Sequence, residues 1–280
     1  MHDVMNRRIP HIAAALAFAL FAATACSDDA TSTAAPQTSE PAQTLAPAPI
    51  PSKTPGVACL TPDEQTGVIR FKSDNGASIA AVVLGKPTDV GVVLAHQNSG
   101  DMCEWVPYGR TLVGLGYAVM AIDLNGFGAS SAADESPSRP QWDRDIVAAA
   151  SELQDMGAQK IVLAGASLGG MAAVVAAADM DPAPAAVIDL SGPDEFSGLN
   201  AVTAAAKVTA PVLFVGGSGD QYTAQTRKVS QAATGAKENR MEVIQGSASH
   251  GVSLLKAETE PKAGQVATLI QDFIRRHTSG

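Results

Sequence analysis

The sequence predicts an α/β domain with a mostly parallel central sheet, helices on both faces and no separate lid domain. Three observations predict it. From residue 67 onward, short runs rich in Val, Ile and Ala alternate with segments of helical period, the pattern of repeated βα units. Interior runs such as 90–96 and 117–124 are apolar almost without a break, as strands covered on both faces must be. No insertion of domain size separates one unit from the next.

Taken in order, the first 25 residues read as an export signal. Arg7 and Arg8 precede an apolar stretch over 12–23 that is too short for a stable bilayer span. Ala23-Thr24-Ala25 before Cys26 resembles a bacterial lipobox, in which the cysteine is lipidated; cleavage without lipidation is the alternative. Residues 26–56 are rich in Ala, Pro, Ser and Thr and nearly lack large apolar side chains, so they read as a disordered tether. The chain is therefore expected to be exported, either as a cell-surface lipoprotein facing outward or as a secreted protein.

Residues 57–280 form the expected folded domain. Runs 67–71 and 78–84 flank Asp74-Asn75-Gly76, a hairpin signal. Strands follow at 90–96 and 117–124, with a helix over 105–115 between them. A helix over 141–156 carries Ile146, Val147, Ala150 and Leu153 at helical spacing, and Gly157 closes it. Next come the strand that begins at Lys160, an Ala-rich helix over 171–180, strands at 185–190, 211–216 and 240–245, and helices over 201–208, 224–233 and 264–276. An antiparallel start leading into βα units gives the sheet its mixed character.

Formal net charge is −9, and removing the leader, with Arg7 and Arg8 against Asp3, takes it to −10. Phosphate contact needs clustered Lys and Arg, and no basic patch occurs, which argues against nucleic acid as a partner. Besides Cys26 the cysteines are Cys59 and Cys103, and in an exported protein two thiols tend to pair. Such a bridge would be worth about 4 kcal/mol by loop closure; two separately buried thiols are the alternative. No second Cys or His lies at ligand spacing, so no metal site is expected, and nothing calls for a cofactor. Membrane contact is expected only through a lipid on Cys26.

The most informative stretch runs from Lys160 to Gly170. A strand-like run ends in Gly165-Ala166-Ser167-Leu168-Gly169, a G-x-S-x-G motif, and a helical pattern follows. That context puts a serine on a sharp strand-to-helix turn with its hydroxyl exposed. Serine needs a neighbouring base. Of five histidines, His2 and His11 lie in the leader and His277 in the tail, which leaves His96 and His250. His250, in a loop of small residues after the run 240–245, is the candidate base. His96, at the end of its strand, reads as a structural residue bonding loop backbone. Asp220, in the loop after 211–216, is the candidate acid, with Asp194 or Glu195 as alternatives. Two N–H donors are needed for an oxyanion. Leu168, at the start of the helix, supplies one, and the loop from His96 to Gly100 the other, through Gln97 first and Asn98 as the alternative. Trp105, Tyr108, Trp142 and Phe196 could line a pocket or pack as ordinary core.

The elbow with Ser167, Asp220 after a late strand, His250 before the last helix and His96-Gln97 after the third strand resembles the α/β-hydrolase fold family over about residues 57–276. The lidless organisation is similar to the dienelactone hydrolase-like branch and to small esterases. Ser167 stands where dienelactone hydrolases carry Cys, and there is no HGGG run as in many lipases. The resemblance implies a serine hydrolase acting on a small-molecule ester or an exposed acyl group through an acyl-enzyme. Peptidase or acyltransferase chemistry on the same triad, or an inactive surface-binding lipoprotein, are the other readings.

Overall fold

The computed structural model describes residues 57–133 and 140–279. The expected leader (1–25), Cys26 and the tether (26–56) lie outside the described residues. Within them, α1 (Pro62–Gln65) precedes the antiparallel pair β1 (Val68–Lys72) and β2 (Ser78–Leu84). The chain continues through β3 (Val90–Ala95), α2 (Val106–Gly114), β4 (Ala118–Ile122), α3 (Trp142–Asp155), β5 (Lys160–Ala166), α4 (Leu168–Asp179) and β6 (Ala186–Leu190). A separate hairpin of β7 (Glu195–Phe196) and β8 (Leu199–Asn200) leads into α5 (Ala201–Ala205). The chain ends with β9 (Val212–Gly217), α6 (Thr223–Ala232), β10 (Asn239–Ile244) and α7 (Ala263–Thr278).

Eight strands form one sheet in the order β1-β2-β4-β3-β5-β6-β9-β10, and every pair from β4 to β10 is parallel. Each face carries its own core. On one side α3 to α6 pack Ile146, Leu153 and Val174 over Val93, Met120 and Phe214. On the other, α2 and α7 pack Leu112, Ile270 and Phe273 over Val82, Leu94 and Val215. Among the described residues there is no separate lid.

The central helix α4 is buried along residues 168–177, which is why its sequence is apolar on all sides rather than striped. It starts at Leu168, earlier than the expected 171, and takes in Gly169 and Gly170. Those glycines are poor helix formers. They are needed because a Cβ on Gly169 would lie 2.3 Å from the Ala95 carbonyl oxygen, so β3 and the helix could not otherwise approach. The hairpin β7–β8 was not foreseen, because strands of two residues show no periodicity.

Cys59 and Cys103 are joined, with Cα atoms 5.7 Å apart across a sequence separation of 44. The bridge ties the start of the domain to the turn at Met102–Glu104. Beside it, Arg110 on α2 donates to Glu64 of α1 at 2.7 Å and to the Cys59 carbonyl at 2.9 Å. This corner is held covalently and electrostatically.

Candidate active site

Ser167 follows β5 directly and has φ 49° and ψ −115°, a positive-φ backbone that residues other than glycine rarely adopt. Strain of this kind costs on the order of 1–3 kcal/mol and persists only where packing enforces it. The packing is visible: a Cβ on Gly165 would sit 2.2 Å from the backbone of Gly169. Strand and helix touch at that point, and the chain turns sharply between them. Leu168 heads the helix, in the first turn where amides have no intrahelical partner. The turn therefore presents a hydroxyl and at least one unpaired N–H at the same spot.

His250 and Asp220 arrive from two other loops at the same end of the sheet. His250 Nδ1 lies 2.9 Å from Asp220 Oδ2 and 3.1 Å from Oδ1. This pairing fixes the ring so that Nε2 is the nitrogen left to take a proton. Burial alone would raise the Asp220 pKa, but the bonds from His250 and from the Tyr222 N–H outweigh it, and the carboxyl is held below its ordinary value. The Tyr222 ring packs on the imidazole, centroids 4.8 Å apart. The alternative acids are engaged elsewhere: Asp194 with Lys228 at 2.6 Å, Glu195 with Asn200 at 2.9 Å.

The segments carrying Ser167 and His250 abut. A Cβ on Gly251 would lie 3.3 Å from the Ala166 Cβ. Among the described residues, the Ser167 hydroxyl has no hydrogen-bond partner. Such bonds are often long in a free enzyme and tighten with substrate. Ser167 and Tyr222 also line one cavity of about 270 Å³, together with Asn98, Leu168, Pro193, Glu195, Phe196 and Gln225.

Gln97, expected as the second oxyanion donor, spends its N–H on Glu104 Oε2 at 3.2 Å, and its side-chain Oε1 accepts from Val252 N–H at 3.4 Å. It therefore tethers the loop after β3 to the loop that carries His250. Asn98 is the residue of that loop that reaches the cavity. Glu104 is the clamp: its carboxylate lies 2.5 Å from where a Gly100 Cβ would be, and burial raises its pKa. Nothing in the sequence marked Glu104, since the contact closes through an irregular loop.

His96 is fully buried. Its Nδ1 lies 2.7 Å from the Gln97 carbonyl and its Nε2 accepts from Leu124 N–H at 3.0 Å, so it is the structural histidine expected, with desolvation lowering its pKa. Trp105, Tyr108 and Trp142 belong to the core, whereas Phe196 stacks on Trp142 and lines the cavity.

A further acid, Asp189, is the penultimate residue of β6 and is fully buried, and desolvation pushes its pKa up to about 7. Its Oδ1 accepts from Gly192 N–H at 2.7 Å and fills the space that a Cβ on Gly170 or Gly192 would need. The sequence signal was there: an aspartate inside an apolar strand beside the site. Among the described residues no group of three or more His, Cys, Asp or Glu side chains could hold a metal ion.

This arrangement has parallels. A family model described as serine aminopeptidase, S33, matches residues 87–194. The fold is similar to an esterase of Pyrococcus furiosus, with a TM-score of 0.64 at 14% identity over 77% of this chain and 94% of that one. This chain has the α/β-hydrolase fold. An enol-lactonase from Burkholderia xenovorans, at TM-score 0.58 and 17% identity, shares the fold over 74% of this chain and 99% of its own. So does an esterase from a Rhodococcus species, at 0.59 and 15% over 74% and 98%. No curated protein matches the sequence. In this α/β-hydrolase the elbow, the late acid and the last-loop histidine fall in the chain order serine, acid, histidine.

Proposed function

We propose that this α/β-hydrolase is an exported serine hydrolase that cleaves carboxylic esters through an acyl-enzyme, with Ser167 as nucleophile, His250 as base and Asp220 as the acid that orients it. The observation that carries the reading is a strained serine at a helix N-terminus, in a cavity whose wall also packs on an Asp-paired imidazole.

In the first step Ser167 Oγ attacks the acyl carbon while His250 Nε2 takes its proton. The tetrahedral oxyanion is held by Leu168 N–H and, in this proposal, by Asn98 N–H, because Gln97 N–H is engaged by Glu104. The imidazolium then returns the proton to the departing alcohol. Water, deprotonated by His250, attacks the acyl-enzyme and releases the acid. Asp220 stays ionised throughout, since its own pKa is lowered, and stabilises the charged ring. The modest cavity favours short acyl groups.

Residues 1–25 as leader, Cys26 as lipid anchor and 26–56 as tether complete the proposal, with the hydrolase domain over 57–280. The disulfide between Cys59 and Cys103 supports an oxidising compartment. Protein lacking residues 1–26 should hydrolyse p-nitrophenyl acetate, with turnover falling as the acyl chain lengthens. Ser167→Ala should abolish the activity without changing the fold; activity that survives this change refutes the reading.

A further inference from the structure

We infer that the cavity beside Ser167 accepts an organic ammonium group, with Glu195 as its counter-charge. This deepens the hydrolase reading and rests on it for the identity of the site as a substrate pocket.

Among the described residues, the cavity lining holds one charged side chain, the carboxylate of Glu195, and no Lys, Arg or His. Phe196 and Tyr222 contribute aromatic rings to the same lining, and its other polar residues, Asn98, Gln225 and Ser167, are neutral. Glu195 Oε2 accepts from Asn200 Nδ2 at 2.9 Å, and among the described residues Oε1 carries no hydrogen bond. The nearby cation Lys228 is committed to Asp194 at 2.6 Å, so it does not neutralise Glu195.

A carboxylate and aromatic rings in one cavity lining are the chemistry that holds an ammonium, by charge and by the negative faces of the rings. The same wall repels an anionic substituent, which would find no cation or helix start of its own except the site where the oxyanion forms. Phe196 is held in place for this role, since its ring stacks on Trp142 with the planes 15° apart. The volume, about 270 Å³, leaves room for a compact head group beside a reacting carbonyl. An ester whose body carries a quaternary or primary ammonium is thus the substrate class that the wall selects.

The test uses three compounds of one shape and different charge: tetramethylammonium, tert-butanol and pivalate. Each is titrated calorimetrically into Ser167→Ala protein and used as an inhibitor of p-nitrophenyl acetate hydrolysis by the wild type. Tetramethylammonium should bind about threefold to tenfold more tightly than pivalate, with tert-butanol between them, and should inhibit competitively. Glu195→Gln, which keeps an oxygen for Asn200, should shrink the cation-to-anion ratio to about twofold or less. Equal or tighter binding of pivalate, non-competitive inhibition by the cation, or an unchanged ratio in Glu195→Gln overturns the inference. Because binding is read in protein without the nucleophile, absence of hydrolysis in the wild type with the charge order intact would count against the hydrolase reading alone.

Discussion

Ser167 and Glu195 line the same cavity, yet they sit in opposite settings. Ser167 stands where β5 meets α4, with Gly165 and Gly169 too close for any side chain and a helix buried along 168–177 behind it. Glu195 stands on a hairpin of two-residue strands, exposed, and among the described residues its side chain pairs with Asn200 alone. The first wall cannot move without breaking the core. The second can change its side chains at little cost in stability. On the proposed reading, the difference teaches how such a fold separates tasks: chemistry rests on the close-packed side and selection on the side that tolerates substitution.

If that division is right, damage on the packed wall should be severe and damage at its margins graded. The largest effect is expected for His250→Ala, with kcat for p-nitrophenyl acetate down by about 10⁴-fold or more, some 5–6 kcal/mol of barrier, and KM nearly unchanged. A loss under tenfold would remove His250 from the mechanism.

Next comes the corner that supports the loop after β3. Replacing Cys59 and Cys103 together by Ser should cost about 4 kcal/mol of stability, from the 44-residue separation they close, read as a lower urea midpoint. Stability unchanged on removing the bridge would mean that the Arg110–Glu64 pair alone holds this corner.

Asp189 supplies a pH test of the packed wall. Its carboxyl pKa rises from 3.8 to about 7 on burial, so the folded state binds a proton that the unfolded state has released. Stability from this group is therefore present at acid pH and is lost as pH rises from about 4 to about 7, by up to roughly 4 kcal/mol. Asp189→Asn removes the charge that must otherwise be buried. Its thermal midpoint relative to wild type should climb between pH 4 and pH 8, by about 2–4 °C for each kcal/mol recovered. A difference independent of pH would show that Asp189 is not protonated in the fold.

The smallest of these effects concerns Glu104, which accepts the Gln97 N–H and, on the proposed reading, supports the site through that loop rather than by touching substrate. Glu104→Ala should lower kcat about tenfold, roughly 1.4 kcal/mol, with KM little moved, and Glu104→Gln should restore most of it because an amide oxygen still accepts the Gln97 N–H. A KM effect in place of a kcat effect would assign Glu104 to binding.

Much of this architecture was legible in the sequence, for local reasons. Strands buried on both faces must be apolar throughout, and the elbow needs its two glycines within five residues, so both leave marks along the chain. The pairing of His250 with Asp220 was readable from chain order and from the elimination of other histidines. What was not legible depends on loop closure in space. Gln97 was the first choice for an oxyanion donor because it follows His96, but the Glu104 carboxylate, seven residues on, occupies its amide. The start of α4 at Leu168 was hidden because Gly169 and Gly170 weaken local helix propensity while tertiary contact requires them. Phe196 was one of four candidate aromatics, and only its place on the unforeseen hairpin separated it from three core residues.

The most direct test of the account is covalent. Wild-type protein treated with a fluorophosphonate and digested should yield one labelled peptide, modified at Ser167, with Ser167→Ala unlabelled and His250→Ala labelled at least about a thousandfold more slowly. Folded wild type that takes no label, or takes it at another residue, would contradict the assignment of this elbow as the nucleophile.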